Sequence, residues 1–414
     1  MIDPCSVEPK RLISLEETIA LVLAAVEPVK TAVFVELNKS LGCVLSCDIF
    51  SAINLPFDRN AAMDGYALNG QALCKDEDIS LKLAGTSWAG RPYQEKLQQG
   101  QCVRILTGAV VPEGADSVVM QEMVNVEGSE VIFPPGLEPY QNIREPGEDI
   151  PKGGLACPAG KKLDPADIGL LAATGIDFVP VCNKPNVAYF STGDELVQIG
   201  QPLTKGKIYD SNRHMLAGLL ADYPVDSIDV GIIADDKRLL KNRIRRMADC
   251  NDVIISTGGA SVGEADYIKE ILAELGEVHV WKIALKPGKP LIFGKIGSCH
   301  YFGLPGNPVS MMLTFHLIVA PALNRLCGVK PGRPLRLTAT CTSALKKSPG
   351  RQEFQRGILS QDAEGNFFVE SAGRQGSHIL GTMSRSNCYI VLPSDSNGVS
   401  KGDSVTVEPH STYI

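Results

Sequence analysis

What this chain lacks narrows its function before any motif is read. It has 12 cysteines but no CxxC pair, and none of its 6 histidines stands at metal-ligand spacing from a cysteine pair, so zinc-finger chemistry has no carrier. Cysteines so dispersed over 414 residues fit reduced thiols better than a disulfide scaffold. There is no HExxH, no Ser/His/Asp order of hydrolase type, no GxGxxG after a strand and no Walker A loop. A positive surplus is missing too. With 47 acidic against 40 basic residues the net charge is -7, which argues against general nucleic-acid binding while leaving room for a local basic pocket. The longest apolar run, from Val309 to Leu323, is interrupted by His316 and reads as too short to span a bilayer. The opening MIDPCSVEPKR leads into no cleavable apolar core. A soluble cytoplasmic protein with no membrane and no nucleic-acid partner is expected.

What is present fits a folded chain of several domains, with 44% apolar and 21% charged residues. Ser14 followed by Glu17 forms a capping box ahead of Leu15, Ile19, Val22, Leu23 and Val26, which predicts a helix from Leu15 to Glu27. The stretch from Ile53 to Leu68 is a loop in which Asp58, Arg59 and Asp64 sit beside Phe57, Met63 and Tyr66, and packing of those apolar side chains would immobilise the acids. Residues 79–133 alternate as β strands with glycine-bearing turns, and Arg104-Ile-Leu-Thr107-Gly108 opens a strand into a polar turn. Gln141 to Ile150 is charged and broken by Gly and Pro, and Asp164, Pro165 and Asp167 then cap a helix stopped by Gly175. These short pieces predict a discontinuous domain of residues 1–50 plus 141–184, interrupted by a β-rich domain over 51–140.

From Pro185 strands and helices alternate, which predicts a mainly parallel, three-layer αβα domain over 185–330. After Pro331 the helical period disappears and strands with turns predict a β domain over 331–414. In the αβα region two buried strands empty into similar phrases. Val187 to Phe190 runs into Ser191-Thr192-Gly193-Asp194-Glu195, and Val253 to Ile255 runs into Ser256-Thr257-Gly258-Gly259. Small, hydroxylic and glycine residues at the carboxyl edge of such a sheet build a ligand-facing rim suited to phosphate. Lys282, Lys286 and Lys289 lie in or beside a Gly/Pro loop and could neutralise an oxyanion, or could be ordinary surface lysines. Asp194, Glu195, Asp235, Asp236, Glu264 and Asp266 follow or lie close to strand ends of the same sheet, where carboxylates hold Mg²⁺ together with substrate oxygens or merely cap helices. Pro305 and Pro308 fix a turn into a helix start, and Arg351, Arg356 and the loop Arg374 to His378 offer donors to an anion.

The phrases PFDRNAAMDGYA, RILTGAVVPEGADSVVMQE, NIREPGEDI, STGDEL, ISTGGASVGEADY, WKIALKPGKP, GLPGNPVS, GRQEFQRG and GSHI together resemble the molybdopterin molybdenumtransferase family, the bacterial MoeA proteins and the E domain of gephyrin, over almost the whole chain. The resemblance implies a homodimer. It also implies an αβα domain similar to molybdopterin adenylyltransferase and a C-terminal β-barrel. The implied reaction is Mg²⁺-dependent insertion of molybdate into adenylylated molybdopterin with release of AMP. On the family pattern the site lies between the αβα domain of one subunit and the second domain of the other, with Asp64 and Thr107 reaching across and Asp149 in the acidic loop behind them. Glu195, Asp235 and Asp266 are similar to the carboxylates that organise metal and nucleotide. The resemblance further implies that Thr192, Gly193, Ser256, Gly258 and Gly259 belong to the substrate rim, that Lys282 and Lys286 are similar to lysines holding phosphate or oxyanion, that Pro305 and Pro308 shape the pocket, and that Arg356 and Ser377 resemble candidates for molybdate binding. Transient contact with the adenylyltransferase and with downstream cofactor-processing proteins is implied as well. A non-catalytic scaffold of gephyrin type, or a molybdopterin adenylyltransferase, are the competing readings.

Overall fold

The structure, a computed structural model, describes residues 12–29, 31–258 and 265–410, and the side chains of residues 265, 266 and 280 lie outside that description. By contacts the chain divides into two compact units. One holds the described residues within 1–33, 42–46 and 181–414, the other 34–41 and 47–180.

Helix α1 (Leu15–Ala25) begins where the Ser14 hydroxyl accepts the Glu17 amide at 3.0 Å. It stops short of the expected Glu27 because Pro28 disfavours helical backbone at the residue before it, and Val26 is already extended. Leu15, Val22 and Val26 are buried in the apolar core of the first unit, so α1 belongs with that core. Within the second unit β1 (Ile49–Phe50) pairs with β8 (Leu155–Cys157).

The second unit is built on a sheet of β2 (Gly65–Leu68), β3 (Ile79–Ser87), β4 (Gln101–Ile105), β5 (Ser117–Met120), β6 (Asn125–Glu127) and β7 (Glu130–Phe133), in the order β5-β2-β4-β3-β7-β6. β3 and β4 are parallel, joined by a long excursion, so the sheet is mixed. Tyr66 is buried edge-on against Phe133, whereas Phe57 is 65% and Met63 46% exposed, so only one of the three apolar residues expected to pack in that loop does so. Helix α2 (Pro165–Ala173) carries the full capping box. Asp164 accepts the Ala166 and Asp167 amides at 2.8 and 3.0 Å, and Asp167 accepts the Asp164 amide at 3.0 Å.

In the first unit β9 (Asn186–Thr192), α3 (Asn212–Ala221), β10 (Asp226–Ile233), α4 (Lys237–Ala248), β11 (Val253–Thr257), α5 (Ala265–Leu275), β12 (Glu277–Lys282), β13 (Leu285–Lys286), β14 (Pro290–Ile296) and β15 (Cys299–Leu304) alternate largely as the sequence predicted. The six-stranded sheet runs β10-β9-β11-β15-β14-β12 and is parallel from β10 to β15, with β14 antiparallel to both of its neighbours, β15 and the edge strand β12. One face packs with α1, α3 and the last helices around Val187, Ile255, Phe302 and Leu304; the other packs with α4 and α5 around Phe190, Ile254 and Tyr301. This is the expected three-layer arrangement. The segment Pro308–Leu326 is continuous helix, α6 (Pro308–Thr314) and α7 (Ala320–Leu326) joined by a π turn at Phe315–Val319. Its 19 residues would be enough to cross a membrane by length and composition, but 67% of its most apolar 18-residue stretch is buried within the fold.

The last strands are β16 (Leu337–Cys341), β17 (Gln352–Gln361), β18 (Phe367–Ser371), β19 (Cys388–Leu392) and β20 (Ser404–Pro409), with a short helix α8 (Leu380–Arg385). They pair as β17-β18-β16-β20-β19, and β19 pairs back to β17, which closes a five-stranded barrel. Phe354, Met383, Tyr389 and Val391 on its outside join the αβα core cluster, and β13 adds in parallel to β17. Those contacts bring the barrel against the Lys286 loop.

Candidate active site

The parallel strands run further than the apolar residues announced, because the ladder continues through Ser191-Thr192 on β9 and Ser256-Thr257 on β11. Their hydroxyls are buried and internally bonded. Ser191 donates to Asp210 at 3.0 Å, Thr192 to the Asp235 carboxylate, Ser256 accepts the Tyr301 hydroxyl at 2.7 Å, and Thr257 accepts the Asn212 amide at 2.7 Å. The rim's open groups are therefore glycines. Gly258 has φ +86°, and a Cβ there would sit 2.0 Å from the Thr192 carbonyl oxygen, so no other residue lets β9 and β11 end side by side. Beyond Gly258, Gly259 lies outside the described residues, as does the side chain of Asp266 at the start of α5.

Two carboxylates meet the end of β9. Asp235 takes the Thr192 hydroxyl, and Glu195 folds back so closely that a Cβ on Gly193 would lie 2.6 Å from its Oε2. Among the described residues no three His, Cys, Asp or Glu side chains converge as a metal cage. Glu195 and Asp235 are donors of the type magnesium uses, since it takes one or two carboxylates and completes its shell with water and substrate oxygens.

Next to this rim opens a cleft of about 600 Å³, with Glu195, Ile208, Gly258, Pro305 and Gly306 on the sheet side, the 286–290 loop above, and Arg351, Glu353, Arg356, Gln375 and Ser377 from the barrel. Lys286 reaches the buried Glu353 at 3.1 Å, and Glu353 also accepts Gln355 at 2.9 Å. Arg351, which could have paired with Glu353, instead turns one N-H to the Leu285 carbonyl at 3.4 Å. Arg356 is 0% exposed. Its guanidinium donates to the Thr382 hydroxyl at 3.2 Å and to the carbonyls of Gln375 at 3.2, Arg374 at 3.0 and Gly376 at 3.1 Å. Burial presses its pKa below the ordinary arginine value, opposed by Tyr389 and Glu353 nearby. Ser377 follows directly, and its carbonyl accepts the Val309 amide at 3.2 Å, tying the loop to the start of α6.

The cleft thus gathers Glu195, Gly258, Lys286, Pro305, Arg356 and Ser377 from the expected set. Lys282 ends β12 as an exposed residue and Pro308 starts α6; neither is among the residues lining the cleft. Asp64, Thr107 and Asp149 belong to the second unit. There Asp64 Oδ1 accepts both the amide and the hydroxyl of Thr107 at 2.7 Å, and these bonds hold its carboxyl below the ordinary aspartate value. Asp149 lines a separate depression of about 510 Å³ with Leu55, Pro56, Arg144 and Glu148. Gln375 and Asn307 fall in stretches the sequence reading had singled out, whereas Ser310 and Glu353 were missed. The only signal was the polar alternation of Gln352-Glu353-Phe354-Gln355-Arg356 within a strand that is otherwise buried.

Three family models match the chain in order: the MoeA N-terminal region (domain I and II) over residues 13–175, a probable molybdopterin binding domain over 188–325, and the MoeA C-terminal region (domain IV) over 338–410. The molybdopterin molybdenumtransferase of Haemophilus influenzae is 42% identical, covering 91% of this chain and 93% of its own. That of Nostoc sp. is 35% identical over 90% and 87%. Gephyrin of Dictyostelium discoideum is 34% identical over 90% of this chain but 58% of its own length. Among solved structures, the molybdopterin biosynthesis MoeA protein of Pyrococcus horikoshii superposes with a TM-score of 0.84 at 29% identity, covering 97% of this chain and all of that one.

Proposed function

The chain belongs to the MoeA family of molybdopterin molybdenumtransferases, and from that membership we propose that it inserts molybdate into adenylylated molybdopterin and releases AMP. The single observation that supports this most directly is one cleft in which the carboxylate-bearing strand rim meets Lys286 and the arginine-braced loop of the barrel. Joining an oxyanion to a substrate that carries its own phosphates requires positive charge between groups that repel each other. Lys286 and Lys289 offer it from the 286–290 loop, and Arg351 from the barrel. Backbone at Gly258 and Gly306 lines the cleft and lets phosphate approach closely, while Pro305 stiffens the turn from β15 into α6. Arg356 acts through the loop it holds, which brings Gly376 and Ser377 to the cleft wall. Glu195 and Asp235, with Asp266, are the residues that would hold Mg²⁺. The bound ion would neutralise phosphate charge as AMP leaves. The ionisable groups among the described lining residues are Glu195, Lys286, Lys289, Arg351, Glu353 and Arg356, and their main contribution on this reading is positioning and fixed charge.

The same reading expects a cytoplasmic homodimer in which the second unit of one subunit brings Asp64 and Thr107 to the cleft of the other, with transient delivery and hand-over contacts to neighbouring proteins of the pathway. The test incubates the purified protein with adenylylated molybdopterin, Mg²⁺ and molybdate and follows AMP. Molybdate-dependent release that stops with chelator and falls at least tenfold in Lys286→Ala is expected, and release that ignores molybdate refutes the reading. In the same assay, a co-refolded mixture of Asp64→Asn and Lys286→Ala chains recovers activity that neither has alone; a mixture as inactive as its parts removes the shared-site dimer.

A further inference from the structure

Within the cleft one group stands against the charge the site is built to offer. Glu353 is a carboxylate with a side chain only 5% exposed, set in the wall of a cavity whose other barrel-side ions are Arg351 and Arg356. Neither arginine is its ion-pair partner. Arg356 spends its guanidinium on Thr382 and three loop carbonyls, and Arg351 turns to Leu285. Among the described residues the cation at ion-pair distance is Lys286, 3.1 Å away and 47% exposed. The backbone sets this up, since β13 lies parallel to β17 with Lys286 and Glu353 as register partners. Gln355 secures the other carboxylate oxygen at 2.9 Å and is itself anchored to the Lys346 carbonyl at 3.0 Å. A buried carboxylate is costly unless it is paired and hydrogen-bonded, and here both conditions are met by a lysine that the proposed reaction needs elsewhere.

We infer that Glu353 is a positioning residue that governs Lys286, holding its ammonium at the cleft wall and competing with the incoming oxyanion for it. This rests on the reading of the cleft as the molybdate site and adds a regulator to it. An empty cleft keeps Lys286 paired. A dianion that seats correctly draws the ammonium off Glu353 and meets the carboxylate's repulsion, so weakly seated anions fail to displace it. Charge is thereby released to the ligand that the rest of the wall also fits, and affinity is held down in exchange for discrimination.

The experiment is equilibrium binding of molybdate to the purified full-length chain, read by titration calorimetry, for wild type, Glu353→Gln, Glu353→Asp, Lys286→Ala and the double variant. Glu353→Gln keeps an oxygen acceptor for Lys286 while removing the charge, and is expected to bind molybdate about five- to tenfold more tightly. In turnover it lowers KM for molybdate by a similar factor while kcat falls, a split that a merely structural role would not produce. Glu353→Asp draws the carboxylate back from Lys286 and is expected to fall between the two, which keeps the inference testable if the glutamine variant does not fold. In the Lys286→Ala background the gain from Glu353→Gln shrinks by at least half, because the competition has lost its object. Unchanged or weaker binding in both Glu353 variants, or a gain that is additive with Lys286→Ala, overturns the inference. Equal binding by wild type and Lys286→Ala instead overturns the reading of the cleft itself, so the two failures are distinguishable.

Discussion

Replacing Arg356 with alanine tests whether the buried guanidinium is a strut or a ligand. Four of its N-H groups are committed, one to the Thr382 hydroxyl and three to the carbonyls of residues 374, 375 and 376. Hydrogen bonds made by a charged group contribute about 1.5–3 kcal/mol each, from which the cost of burying the guanidinium must be subtracted. Removing one partner of a buried polar assembly costs on the order of 3–5 kcal/mol. If about 3 kcal/mol of that falls on the local stability of the 374–377 loop, amides that depend on the loop exchange roughly a hundredfold faster, at 1.36 kcal/mol per decade. The reporters are Ile379, whose amide donates to Gly376 at 3.1 Å, and Val309, whose amide donates to Ser377 at 3.2 Å. Hydrogen exchange read by mass spectrometry should show these peptides deprotected while the β9 to β11 peptides keep wild-type rates, and Arg356→Lys, which loses the planar fork, should lie between. Protection unchanged in Arg356→Ala, with molybdate binding lost, would refute the reasoning and return the guanidinium to direct contact with the anion.

Two further outcomes follow from groups whose protonation the fold perturbs. His316, in the π turn, is bonded through Nδ1 to the Tyr389 hydroxyl at 3.1 Å, and burial, helped by His410 beside it, depresses its pKa to about 4. The unfolded chain takes up this proton first as pH falls, so stability intact above about pH 6.5 is lost between there and pH 4, by on the order of 2–3 kcal/mol. The urea midpoint of wild type should drop across that window, and His316→Gln should flatten the drop; parallel profiles would show that His316 is not the group responsible. For Asp64, held below 3.8 chiefly by the Thr107 hydroxyl, carboxyl carbon NMR should show the pKa climbing toward its ordinary value in Thr107→Val, and no change would mean that the hydroxyl bond does not form in solution.

Much of the architecture was legible because it rests on local patterns. The capping box at Asp164, the glycine stop at Gly175 and the Pro308 helix start each describe a few neighbouring residues, and each recurs in the fold. The strand ends were less legible. Ser191, Thr192, Ser256 and Thr257 read as exposed rim hydroxyls, but strand pairing carries them inside, where Asp210, Asp235, Tyr301 and Asn212 satisfy them. Those partners come from 19 to 45 residues away, and periodicity does not report contacts of that range. The packing of α1 was missed for the same reason, since its apolar stripe matches any apolar face and only the tertiary core selects the surface beside α7.

The cleft shows why residue type announces a site more readily than it assigns roles within it. Lys286, Arg351 and Arg356 are all cations within a few residues of family-like phrases, and a count of positive charge treats them alike. Geometry separates them through the donors already spent. Arg356 has one guanidinium N-H left after four bonds and no exposure, so it shapes the wall; Lys286 has one partner and is half exposed, so it can be transferred to a ligand. Arg351 keeps most of its donors after a single long bond to Leu285. A planar, five-donor cation suits the task of holding three carbonyls at fixed angles, and a flexible ammonium suits the task of changing partners, so exchanging Lys and Arg between positions 286 and 356 would conserve charge while losing both roles.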